Sequence, residues 1–152
     1  MKILQITGGY IRIPPKMGGG AEAVIYNISR QIAKKGHDVT ILDRSYSKND
    51  SPFDEIDDMK IIRIKAFKFQ FLDPFIKFGF GHYLTALKEI LNEVYFSLKV
   101  YFIFKDRVKE YSIIHFHSIF TGCLLSRLFK KSNPNIFVTI QIPSFYSCPS
   151  TQ

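Results

Sequence analysis

Gly18, Gly19 and Gly20 stand immediately before an amphipathic run, with Glu22 in its first turn. Glycine leaves the backbone N–H groups of a helix start uncovered, where the helix dipole is positive, so the turn suits an anion such as a phosphate. A second group is His115-Phe116-His117. Residues two apart on a strand share a face, so both imidazoles point the same way. Either one histidine faces a substrate cleft while the other is held structurally, or both are satisfied packing residues. A metal site would need a third ligand, for which the sequence offers no obvious candidate. Gln141 is the third candidate, at the end of an apolar run. Its amide either contacts substrate or caps the following loop. Cys123 and Cys148 have no metal-ligand spacing and form no disulfide framework. Cys123, among apolar residues, reads as a small core residue.

The elements that must position these groups follow from periodicity. Lys2 to Thr7 is a short apolar strand, and Gly8 to Met17 is a loop punctuated by Pro14-Pro15. From Gly20 to Lys35, Ala21, Val24, Ile25, Ile28, Ile32 and Ala33 recur at helical spacing, and Gly36 suits the helix C-terminus. His37 to Asp43 is a second strand, which completes a right-handed parallel βαβ unit. Arg44 to Asp58 is polar and reads as loop. Met59 to Ala66 reads as a third strand near a sheet edge.

Phe67 to Phe80 interleaves phenylalanine with lysine, and part of it either contacts a membrane interface or buries against the sheet or a further domain. From His82 to Tyr111 a helical stripe of Leu84, Leu87, Leu91, Val94, Leu98, Tyr101 and Phe102 is expected to bury against the sheet or a further domain. A bend is expected near Ser97. Ser112 to His117 is a fourth strand. Phe120 to Lys131 is a helix with Leu124, Leu125 and Leu128 inward, and Ile136 to Ile142 is a fifth strand.

This order predicts an α/β fold: a Rossmann-like open parallel sheet with helices on both faces, residues 1–152 forming one domain. Gly18 to Ala23 formally matches the dinucleotide fingerprint, with Asp43 ending the next strand. In that fingerprint the glycines follow the first strand almost at once, whereas ten residues separate Thr7 from Gly18. The context therefore weighs against it. A hydrophobic content of 46% with 22% charged residues is globular. The net charge of +8 admits nucleic acid, an anionic membrane surface or phosphate-bearing small molecules. Scattered rather than blocked basic residues weigh against nucleic acid. No apolar run is long enough to span a bilayer, and strand sequence begins at Lys2 with no signal peptide before it, so a cytoplasmic protein is expected.

These residues resemble the N-terminal domain of the family 4 (group 1) glycosyltransferases of the GT-B fold. The resemblance rests on Gly18-Gly19-Gly20 and Glu22 after the first strand, on Gly36-His37-Asp38-Val39, and on His115 and His117 in a His-x-His strand. It spans nearly the whole chain. It implies retaining transfer of a sugar, of hexosyltransferase type, from a nucleotide-sugar to a glycan or lipid-linked acceptor, as in polysaccharide biosynthesis. The resemblance implies that Gly18, Gly19, Gly20, Glu22 and His115 lie at the substrate or phosphate site, with His117 and Gln141 as catalytic candidates. No cofactor and no metal are implied beyond the donor itself. Gln141 stands where the family usually has histidine, and a neutral amide cannot serve as a base.

The family's C-terminal donor-binding domain is not in this sequence. The chain alone is therefore expected to be inactive and to need that domain or a partner chain. Many family members work at the inner face of a membrane, so a cytoplasmic chain peripheral on that surface is expected. Two alternatives stay open: an NAD(P)-binding domain of an oxidoreductase, and a non-catalytic membrane-associated adaptor.

Overall fold

The computed structural model describes residues 1–8, 11–15, 20–47, 49–66, 69, 81–134 and 137–140. Gly18, Gly19, Gln141, Cys148 and nearly all of the Phe67–Phe80 segment lie outside them. Along the chain run β1 (Lys2–Ile6), α1 (Gly20–Lys34), β2 (Asp38–Arg44), β3 (Phe53–Ile56) and β4 (Met59–Ile64). Then come α2 (Gly81–Phe104), a 3-10 turn (Arg107–Glu110), β5 (Ile113–Phe116), α3 (Ile119–Ser132) and β6 (Phe137–Ile140).

The sheet order is β3-β4-β2-β1-β5-β6. All pairs are parallel except β3 with β4. The expected Rossmann-like fold is therefore the fold observed. After β4 the chain crosses to the other side of β1, so the topological switch lies between the C-terminal ends of β1 and β5, where open α/β sheets place ligands.

Alternate residues of each strand serve two cores. Leu4, Ile6, Leu42, Ile114 and Phe116 pack with Phe96, Val100 and Phe104 of α2 and with Leu125 and Phe129 of α3. On the other face Val39, Ile41, Met59 and Ile61 pack against Ile25 and Ala33 of α1. Helix α1 ends as expected. Gly36 sits at a φ of 83°, and its N–H donates to the Ala33 carbonyl at 2.8 Å.

The structure corrects several expectations. The segment read as loop up to Asp58 contains β3, which pairs antiparallel with β4 through a two-residue turn at Asp57 and Asp58. Both have positive φ, 51° and 61°, as a tight hairpin requires. Strand β4 is thereby covered on its outer side. Helix α2 turns the opposite way to that expected. Phe96, Val100 and Phe104 are fully buried, whereas Leu87, Val94, Leu98 and Phe102 are exposed and Leu84, Leu91 and Tyr101 half-buried.

Polar groups fix that rotation. Asn92 Oδ1 accepts from Phe69 N at 2.9 Å, and the Asn92 carbonyl accepts from Arg44 Nη2 at 2.6 Å. Ser97 Oγ donates to the Glu93 carbonyl at 2.8 Å and lies 3.0 Å from Thr121 Oγ1 on α3. Turning the leucines inward would break the bonds of Asn92 to Phe69 and Arg44 and that of Ser97 to Thr121. Leu124 and Cys123 of α3 are exposed rather than core, because that helix buries Thr121, Gly122, Leu125 and Phe129 instead. Val24 and Ile28 of α1 are likewise exposed.

Candidate functional site

Strands β1 and β5 are in register, with Gln5 opposite His115 and Ile6 opposite Phe116. The ladder runs one step further, His117 N donating to the Ile6 carbonyl at 2.9 Å. Leu4, Ile6, Ile114 and Phe116 point into the core beneath α2 and α3. Gln5, Thr7, His115 and His117 therefore point to the α1 face. Helix α1 packs over β2 and β4, so the histidines lie beside it at the switch point.

The His115 and His117 rings stack at 4.1 Å between centroids, tilted by 32°. His117 Nε2 is 2.6 Å from Gln5 Oε1. An amide oxygen only accepts, so the histidine donates through Nε2, which fixes its ring. Burial lowers the His115 pKa below its usual value. A half-buried neutral imidazole can donate to or accept from a sugar hydroxyl. The His115 ring nitrogens, followed by 15N NMR against pH, are expected to titrate with a midpoint below 6.5. A protonated ring at neutral pH would rule out the neutral role.

The second half of the site is the start of α1. Gly20 opens the helix and Glu22 is buried in its first turn. The neighbouring Tyr46 phenol is raised by burial and by the negative charges of Asp43 and Glu22, which places Glu22 near the end of β2. Asp43 is fully buried there. Its Oδ1 accepts from Thr7 Oγ1 and Arg44 N, and its Oδ2 from Ile13 N, each at 2.9 Å. Thr7 precedes the long loop and Ile13 lies within it, so one carboxylate ties two points of the loop to the sheet.

Arg63, whose side chain is wholly buried, holds the same loop from below. Its Nη2 donates to the Ile13 carbonyl at 3.1 Å, and its Nη1 reaches the Ser51 carbonyl and pairs with Asp54. Arg12 adds a 2.8 Å ion pair to Asp50. With Asp43 committed to these donors, it does not serve as the ribose-binding acid of a dinucleotide site.

Of the expected site residues, the structure brings His115 and His117 together at the end of β5, and Gly20 and Glu22 together at the start of α1. The ends of β2 and β5 are two strand spacings apart, about 10 Å. Gly18, Gly19 and Gln141 lie outside the described residues. Gln5 and Arg63 were not anticipated. Their signal was a polar side chain inside otherwise apolar strands, which is costly unless it is bonded. Among the described residues no three His, Cys, Asp or Glu side chains are grouped to hold a metal.

Comparison with known proteins adds the following. The family model described as Glycosyltransferase Family 4 matches residues 18–145. Among solved structures, sucrose-phosphate synthase from Thermosynechococcus elongatus is similar in fold, with a TM-score of 0.54 and 18% identity. The alignment covers 94% of this chain and 33% of that one, so the chain spans about a third of its solved relative. No curated protein matches the sequence.

Proposed function

The chain belongs to glycosyltransferase family 4, and from that premise we propose that it forms the acceptor-side wall of a cleft in which a sugar passes from a nucleotide-sugar to a glycan or lipid-linked acceptor. The observation that carries this reading is the His115–His117 pair with Gln5 at the β1/β5 switch point, about two strand spacings from the start of α1. The imidazoles offer hydrogen bonds to sugar hydroxyls, and the buried Gln5 amide holds the His117 ring in place. The first turn of α1 offers N–H groups and a positive dipole to the leaving diphosphate as its charge develops. Retention at the anomeric carbon, a hexose donor and a setting in polysaccharide synthesis at the cytoplasmic face of a membrane belong to the same reading. A dinucleotide-binding oxidoreductase is not favoured, given the family match and the commitment of Asp43 to the loop. A non-catalytic adaptor is not favoured either.

A donor-binding domain, on the same or a separate polypeptide, supplies most nucleotide contacts in this proposal. The purified 152-residue chain is therefore expected to transfer no radiolabelled sugar from UDP- or GDP-sugars to a lipid acceptor extract. Turnover by the chain alone would overturn the two-part reading. Stabilisation of the chain by NAD(P)H in thermal-shift titration, with none by sugar nucleotides or acceptor glycans, would overturn the glycosyltransferase reading itself.

A further inference from the structure

Four polar side chains are buried where α2 meets the start of α3: Glu93 and Ser97 on α2, Ser118 and Thr121 on α3. The core around them is apolar, with Phe96, Val100, Leu125 and Phe129 each fully buried. A hydroxyl or a carboxylate in such surroundings costs free energy unless it is bonded. Here the groups bond one another. Thr121 Oγ1 donates to Glu93 Oε1 at 3.4 Å and lies 3.0 Å from Ser97 Oγ, which reaches the Glu93 carbonyl at 2.8 Å. Apolar side chains of similar size would pack the same two helices. A polar set adds a demand of register, because its bonds close at one rotation and one height of α2 against α3.

That register bears on His117. Ser118 follows it directly, in extended conformation, as the N-cap of α3. Its Oγ accepts from Thr121 N at 3.4 Å and its carbonyl from Gly122 N at 2.9 Å. At the other end of this short stretch His117 N donates to the Ile6 carbonyl at 2.9 Å, and His117 Nε2 to Gln5 Oε1 at 2.6 Å. Residues 117–121 are thus bonded to β1 at one end and to α2 at the other, so a shift of α3 along α2 moves the imidazole. The Glu93 carboxylate also lies at the first turn of α3, where the helix dipole favours negative charge. The same turn of α2 is tied to the far side of the site. The Asn92 carbonyl accepts from Arg44 Nη2 at 2.6 Å, and Arg44 N donates to Asp43 Oδ1 at 2.9 Å.

We propose that Thr121, held by Glu93 and Ser97, is a positioning residue for His117: the bonded α2–α3 contact sets where the His117 imidazole stands against Gln5. The purpose of that placement rests on the sugar-transfer reading of the site. Its test needs neither substrate nor a donor-binding domain, so the two can fail separately.

The test is NMR of the chain with 15N-labelled histidine, together with amide hydrogen exchange, on Thr121→Val, Thr121→Ser and a control. The control is Leu128→Ala, at a partly buried core residue two turns further along α3. Thr121→Val keeps the shape and removes the hydroxyl. It should speed exchange of the His117 amide roughly tenfold or more relative to the amides of β2, and move the His117 Nε2 signal away from its hydrogen-bonded position. Thr121→Ser keeps the hydroxyl and should restore both. Leu128→Ala should change exchange at His117 and in β2 by the same factor, as a general loss of stability does. Should Thr121→Val fail to fold, Ser97→Ala removes one of the two contacts to Thr121 and is read in the same way. His117 signals that coincide with the parent's, an exchange change no larger at His117 than in β2, or a Thr121→Ser variant that behaves like the valine would each overturn the proposal.

Discussion

Replacing Arg63 by methionine is expected to cost about 3 kcal/mol of stability and to loosen the loop around Ile13. The guanidinium is wholly buried and holds three acceptors at once: the carbonyls of Ile13 and Ser51, and the Asp54 carboxylate. Methionine fills much of the volume and supplies none of the donors. Two backbone carbonyls and a part-buried carboxylate are then left unmatched, which outweighs the favourable desolvation of removing a buried cation. Asp54 has its pKa lowered first of all by its hydrogen bond to Arg63. That contribution is present above the unfolded carboxylate pKa and lost as pH falls, so the variant should also show a weaker acid dependence. Urea denaturation gives the stability and hydrogen exchange at the Ile13 amide reports the loop. A variant as stable as the parent, with unchanged exchange, would show that the loop is held elsewhere.

The substitution Asp43→Asn should change how stability depends on pH. Burial, partly opposed by the three donors and by Arg63, raises the Asp43 pKa from 3.8 to about 6. A carboxyl with a raised native pKa binds more protons folded than unfolded between those two values. Native stability therefore falls as pH rises through that window, by about 3 kcal/mol in all. The asparagine side chain does not ionise and lacks this dependence. Its NH2 or its single oxygen must face donors that both carboxylate oxygens served, costing about 1–2 kcal/mol at every pH. The variant should be less stable than the parent near pH 4, with the gap closing or reversing by neutral pH. Urea midpoints measured across that range check this, and a difference independent of pH would mean that Asp43 ionises normally.

The parts of this molecule that were legible in its sequence are those set by local chemistry. Gly36 had to follow α1, and the apolar strands β1, β2 and β5 had to be central. The order of elements then left an open parallel sheet as the natural result. Strand β3 was hidden because Phe53-Asp54-Glu55-Ile56 is short and half polar, although its alternation and the Asp57-Asp58 turn carried the signal. The rotation of α2 was not legible, since apolar residues cover most of that helix. Asn92, Glu93 and Ser97 decide which side faces in, through partners on β2 and α3 that are distant in sequence. The same holds for Gln5, Asp43 and Arg63, whose roles depend on partners as far as 112, 36 and 50 residues away.

The central place of β1 also sets a timetable. Ile3 pairs with Val39 on one side and with Ile113 on the other. At about 5–20 residues per second of synthesis, the first strand waits roughly 5–20 s for its second neighbour after leaving the ribosome. During that wait only the β1-α1-β2-β3-β4 side of the sheet can assemble, and the β5-facing edge of β1 is bare. Closing that edge requires a contact spanning most of the chain, so β5 docking should be the slow, late step of folding. His117 therefore meets Gln5 only at that step, and the switch point between β1 and β5 is completed late.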